Sequence, residues 1–92
     1  MAYFFSDGRF VYFTTFEKNK YLIQYRIEEL QQLLNPEQFY RINRSYITSV
    51  KSIEQINPYF GGRFKLKLIP PVTEEVLVSK KRAAGFKIWL GE

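Results

Sequence analysis

Arg63-Phe64-Lys65-Leu66-Lys67-Leu68-Ile69 alternates cationic and apolar residues. A strand sends successive side chains to opposite faces, so Phe64, Leu66 and Leu68 share one face and Arg63, Lys65 and Lys67 the other. One face is core and one is wet, and the lysines read as a solvated or edge-protecting row. Downstream, Pro70-Pro71-Val72-Thr73 turns the chain, and Glu74 to Val78 returns as a strand that places Glu74 or Glu75 near the lysines. Ser79 is then the expected N-cap of a closing helix through Leu90, with Phe86, Trp89 and Leu90 as its apolar patch. Upstream, Asn57-Pro58-Tyr59-Phe60-Gly61-Gly62 reads as a loop. Ser52 to Ile56, Ser45 to Val50 and Phe39 to Ile42 read as short strands.

Further toward the N-terminus the period changes. In Arg26 to Leu34, Ile27, Leu30, Leu33 and Leu34 recur at helical spacing, with Glu28, Glu29, Gln31 and Gln32 on the other side. Asn35-Pro36 ends that helix, because a proline disfavours helical backbone in the residue before it. Arg9 to Thr15 and Lys20 to Tyr25 are rich in aromatic and β-branched residues and form an expected hairpin around Phe16-Glu17-Lys18-Asn19. Ser6-Asp7-Gly8 is another turn, which leaves Ala2 to Phe5 as a short preceding strand. The result is a mostly β fold with two short helices, one between strands and one at the C-terminus. No repeat or linker divides it.

Composition bounds the function. The 92 residues carry nine Phe, seven Tyr and one Trp, with 46% hydrophobic residues, which suits one small packed domain. A formal charge of +5 favours an acidic partner without identifying it. There is no cysteine and no histidine. That removes disulfides, the usual zinc ligands, thiol nucleophiles and the commonest general base at neutral pH. The chain is therefore not expected to be an enzyme, and no cofactor, metal or catalytic residue is expected. No segment has the length of a membrane span and the N-terminus lacks the pattern of a signal peptide, so a cytoplasmic protein without a membrane partner is expected.

The run Phe39-Tyr40-Arg41-Ile42-Asn43-Arg44-Ser45-Tyr46-Ile47-Thr48-Ser49-Val50-Lys51 holds three cations and no carboxylate. A polar set of one sign among apolar positions suggests a face for a polyanion, with nucleic acid as the first candidate. This run, followed by Ile53, Leu66 to Leu68 and Val78-Ser79-Lys80, resembles the LytTR family of bacterial DNA-binding domains. Phe5-Ser6-Asp7-Gly8-Arg9-Phe10-Val11-Tyr12 is similar to that family's early acidic-aromatic turn, and Arg26 to Leu34 matches its short helix. Three positions depart from the family pattern: Asn43 stands where His is usual, Ser49 where Asn is usual, and Lys80 where Arg is frequent. Lys80 keeps the charge but loses the planar fork that reads guanine, so the resemblance carries no base preference.

The resemblance implies elongated antiparallel sheets whose loops, rather than a recognition helix, enter successive major grooves. Carried over by position, the contacts are Asp7, Gly8, Arg9 and Phe10 in the first turn, Asn43, Arg44 and Ser45 in the central loop, and Ser79, Lys80, Lys81 and Arg82 after the last strand. It also implies double-stranded DNA as partner, a homodimer on direct-repeat sites, and a receiver domain or sensor kinase acting on the full-length protein. Family members carry a further strand ahead of the position of Met1 and a regulatory domain before that. The chain thus reads as a single domain, 1–92, short of its first strand, with a sheet edge left open.

Plainer readings compete. Taken alone, Arg41, Arg44 and Lys51 are better explained as solvated charges on alternating strand positions, and only the motif context reverses that reading. Lys80, Lys81 and Arg82 at the start of a helix are less easily explained that way, because cations are unfavourable there unless an anion is near. Tyr12, Phe13, Phe64 and Trp89 are expected in the core, and Tyr40, Tyr46 and Tyr59 are expected to pack. The alternatives to duplex binding are a protein-interaction module using the basic face or the open edge, and single-strand binding through exposed tyrosines.

Overall fold

A computed structural model describes residues 1–91. Five strands, β1 (Tyr3–Asp7), β2 (Phe10–Thr14), β3 (Lys20–Ile23), β4 (Phe39–Arg41) and β5 (Tyr46–Ser49), form one antiparallel sheet in the order β3-β2-β1-β5-β4. Three more, β6 (Ile53–Tyr59), β7 (Arg63–Leu68) and β8 (Val76–Val78), form a second in the order β6-β7-β8. Helix α1 (Ile27–Leu33) lies between β3 and β4, and helix α2 (Lys80–Leu90) follows β8. This is the expected mostly β fold, with extents of 32 × 26 × 23 Å.

Strand alternation makes the five-stranded sheet the middle layer. Phe4, Val11 and Ile47 leave one face and bury with Ile27 and Leu30 of α1. Tyr3 and Tyr46 leave the other and bury with Leu66, Leu68, Val76, Val78 and the α2 residues Ala83 and Phe86. Phe86 is wholly buried, and Trp89 and Leu90 pack half-buried against the same cluster, as expected of the apolar patch. Burying a large apolar side chain of this kind stabilises by about 1.5–3 kcal/mol. Within β7 the alternation holds: Leu66 and Leu68 are buried, and Lys65 and Lys67 are exposed and paired with Glu75 and Glu54 at 3.4 Å each.

Several boundaries differ from expectation. The first turn is Gly8-Arg9, not Ser6 to Gly8, because β1 continues to Asp7, which pairs with Phe10. Gly8 takes a φ of 64°, the left-handed value that a two-residue hairpin turn asks of its first central residue. Asn57, Pro58 and Tyr59 belong to β6 rather than to a loop, and Pro58 pairs opposite Phe64. A proline is tolerated there because β6 is an edge strand, where a missing N–H costs no ladder bond. The return strand begins at Val76, since Glu74 and Glu75 leave the ladder to meet Tyr46 and Lys65. Leu33 is 64% exposed, so α1 presents only Ile27, Leu30 and the flanking Leu34 to the core. β1 is paired on both sides, and the open edges are those of β3, β4, β6 and β8. Among the described residues no helix is long and apolar enough to cross a membrane.

Candidate nucleic-acid interface

The β1–β2 hairpin carries its tip, Gly8-Arg9, to one end of the sheet, with Phe10 half exposed beside it. The loop between β4 and β5 reaches the same end. Gly8, Arg9, Arg26, Arg41, Arg44 and Ser45 line one cleft of about 530 Å³ there. The two segments are also joined directly, since the Ser6 amide donates to the Ser45 carbonyl at 2.8 Å.

The central loop is held from inside. Asn43 Oδ1 accepts the amides of Ser45 at 2.7 Å and Tyr46 at 2.9 Å, and its Nδ2 donates to the Leu77 carbonyl at 2.7 Å. An asparagine closing a turn on its own backbone is the common use of that side chain. One amide proton remains, so Asn43, expected at a base edge, is placed as the fastener of the loop. Arg44 stands exposed at the tip, and Ser45 is half-buried. Arg41 is the residue whose place the sequence did not disclose. Its side chain is 10% exposed, it bonds the carbonyls of Asn43 and Arg44, and it meets Glu28 of α1 at 3.3 Å. The Glu28 carboxyl is held below the usual carboxylate range, first by its own backbone N–H and then by the Arg41 guanidinium, against a desolvation that opposes both.

The start of α2 is fastened to the same loop. The Ser79 amide donates to the Ile42 carbonyl at 3.0 Å, one residue before Asn43 reaches across to Leu77. Ser79 holds the N-cap position with extended backbone, but its hydroxyl caps no amide. Lys80 and Lys81 are exposed, and Arg82 is half-buried with its carbonyl accepting the Tyr40 hydroxyl at 3.0 Å. The three expected segments are thus hydrogen-bonded to one another through the central loop.

Charge pairing divides the cations of the chain into two groups. Among the described residues, carboxylates lie within 4.0 Å of Arg26, Arg41, Lys65 and Lys67. Arg9, Arg44, Lys80, Lys81 and Arg82 have none, and neither do Lys18, Lys20, Lys51, Arg63 and Lys87. The three tyrosines expected to pack do so: Tyr40 stacks on Trp89 with centroids 5.4 Å apart, Tyr46 is buried and donates to Glu74 at 2.7 Å, and Tyr59 lies under the Arg63 guanidinium.

Residues 1–91 match the LytTr DNA-binding domain. The chain belongs to this family. It is a DNA-binding family, not a catalytic one. The fold of this LytTr domain is similar to that of the LytTr DNA-binding domain of a Bacillus cereus protein described as a methyl-accepting/DNA response regulator. The two share 28% identity with a TM-score of 0.85, over 99% of this chain and 81% of the other. The sensory transduction protein LytT of Oceanobacillus iheyensis is 32% identical over 59 residues, which are 64% of this chain and 24% of that protein. This LytTr domain therefore spans about a quarter of that relative.

Proposed function

We propose that this LytTr domain binds double-stranded DNA sequence-specifically, as the output domain of a bacterial transcription regulator. The observation that carries the reading is that three segments hydrogen-bonded to one another carry Arg9, Arg44, Lys80, Lys81 and Arg82, five cations with no carboxylate partner among the described residues. Such groups supply the salt-dependent attraction to phosphate, and loops on a stiff sheet present side chains to a groove. Arg44 and Lys80 are the residues for base edges, Arg9, Lys81 and Arg82 for phosphates, and Phe10 for apolar contact beside the hairpin tip. Ser45 and Ser79 offer hydroxyls to phosphate oxygens, and Asn43 acts by holding the loop. Successive major grooves receive the central loop and the start of α2.

The names of the relatives, a sensory transduction protein and a response regulator, support control by a receiver domain or sensor kinase and action in the cytoplasm. Two copies on a direct repeat are the corresponding assembly. The deciding experiment is selection of bound duplexes from a random pool, followed by titration of the selected and a scrambled duplex over a salt series. A recurrent motif with a steep salt dependence is expected. Equal affinity for both duplexes would sink sequence-specific recognition.

A further inference from the structure

We infer that Arg41, although it lies in a basic stretch without carboxylates, is a positioning residue that presents the central loop and does not itself contact DNA. The inference rests on the DNA-binding reading above. Arginine has five N–H donors in a rigid fork. Nε donates to the Asn43 carbonyl at 3.1 Å and Nη2 to the Arg44 carbonyl at 2.8 Å. Nη1 donates to Gln31 Oε1 at 3.1 Å, and Nη2 also meets Glu28 Oε2 at 3.3 Å. Four bonds on a side chain 10% exposed leave no pair of donors for a phosphate or a guanine.

The geometry is that of a strut. One side of the guanidinium holds the two carbonyls that bracket the Arg44 peptide, and the other side is seated on α1. Glu28 is 65% exposed and belongs to α1, not to the loop, so it steadies the arginine from the wall of the cleft that Arg44 and Ser45 also line. A lysine has no planar fork and cannot make both carbonyl bonds while reaching α1. Charge alone therefore does not replace Arg41.

The test compares Arg41→Lys, Arg41→Gln and Glu28→Gln with the wild-type chain on a selected and a scrambled duplex. Both Arg41 variants are expected to lose the affinity ratio between the duplexes by about tenfold or more, as expected when a bidentate base contact is displaced. The slope of log affinity against log salt should stay at the wild-type value. Glu28→Gln should give a smaller loss that does not add to that of Arg41→Gln. In DNA-free protein, hydrogen exchange at the Ser45 and Tyr46 amides should accelerate in all three variants. Protection in β1 and β7 should stay unchanged, which separates loop release from unfolding.

A phosphate contact would behave otherwise: Arg41→Lys would bind as wild type, and Arg41→Gln would lower the slope by about 0.9 with the ratio kept. Either result, or unaltered exchange at Ser45 and Tyr46, overturns the inference. A wild-type ratio near one would overturn the DNA reading instead.

Discussion

Arg44 is the cation of the central loop whose side chain has no hydrogen-bond or carboxylate partner among the described residues, one residue after an asparagine that is almost fully engaged. Its replacement by alanine should leave the melting temperature unchanged and weaken binding to the selected duplex by about 1–3 kcal/mol, with less loss on scrambled DNA. Equal loss on both duplexes, with a shallower salt dependence, would make it a phosphate contact instead. Gly85 shows the opposite situation, a residue fixed by packing. A Cβ there would run into the Tyr40 hydroxyl, so Gly85→Ala should destabilise by about 1–3 kcal/mol even though alanine is the better helix former. With Tyr40→Phe as background the obstacle is gone, and the same change should become neutral or stabilise by about 0.5–1 kcal/mol. Thermal melts of the four proteins decide this, and equal effects in both backgrounds would refute the clash. The turn that Asn43 closes on Ser45 and Tyr46 is a local pattern, but nothing local announced the longer bonds of Asn43 and Arg41. Their partners, Leu77 and Glu28, lie far along the chain, and periodicity is blind to such pairs.

At the level of elements, the start of α2 joins the exposed Lys80 and Lys81 to amides that Ser79 leaves uncapped. Replacing both lysines with Glu should abolish binding to any duplex at low salt. The fold should survive, because neither side chain is buried and carboxylates suit the N-terminal end of a helix. A folded double variant that keeps its affinity would show that this end faces away from DNA. The alternation in Arg63 to Leu68 and the apolar spacing of Ile27 and Leu30 were readable because each element's burial follows its own period. Pro58 was not, because its tolerance depends on β6 being an edge, which only the sheet order reveals. Leu33 misled for a related reason: its spacing fits the helix, but no partner covers that side.

Across the whole molecule, two tyrosines tie the five-stranded sheet to the segment between β7 and β8. Tyr3 donates to the Pro70 carbonyl at 2.9 Å and Tyr46 to Glu74 at 2.7 Å. Burial raises the pKa of both above the ordinary phenol value of 10.0, and for Tyr46 the nearby Glu74 adds to the rise. A raised folded-state value means that the unfolded chain loses these protons first, so their stabilisation is complete below pH 10 and falls as pH climbs beyond it. Denaturant midpoints measured through that range should decline, and Tyr46→Phe should flatten the decline. An equally steep fall in the variant would place the alkaline sensitivity elsewhere. The sheet order also has a history in time. β1 lies at the centre of its sheet, yet it leaves the ribosome before both of the strands it pairs with. Its pairing with β2 is immediate, while the partner on its other side, β5, comes only after α1 and β4. At roughly 5–20 residues per second, the Tyr3-Phe4-Phe5 edge waits bare for seconds. During that interval it is open to a chaperone, and slowing translation between β2 and β5 should cost soluble yield more than the same delay after β5.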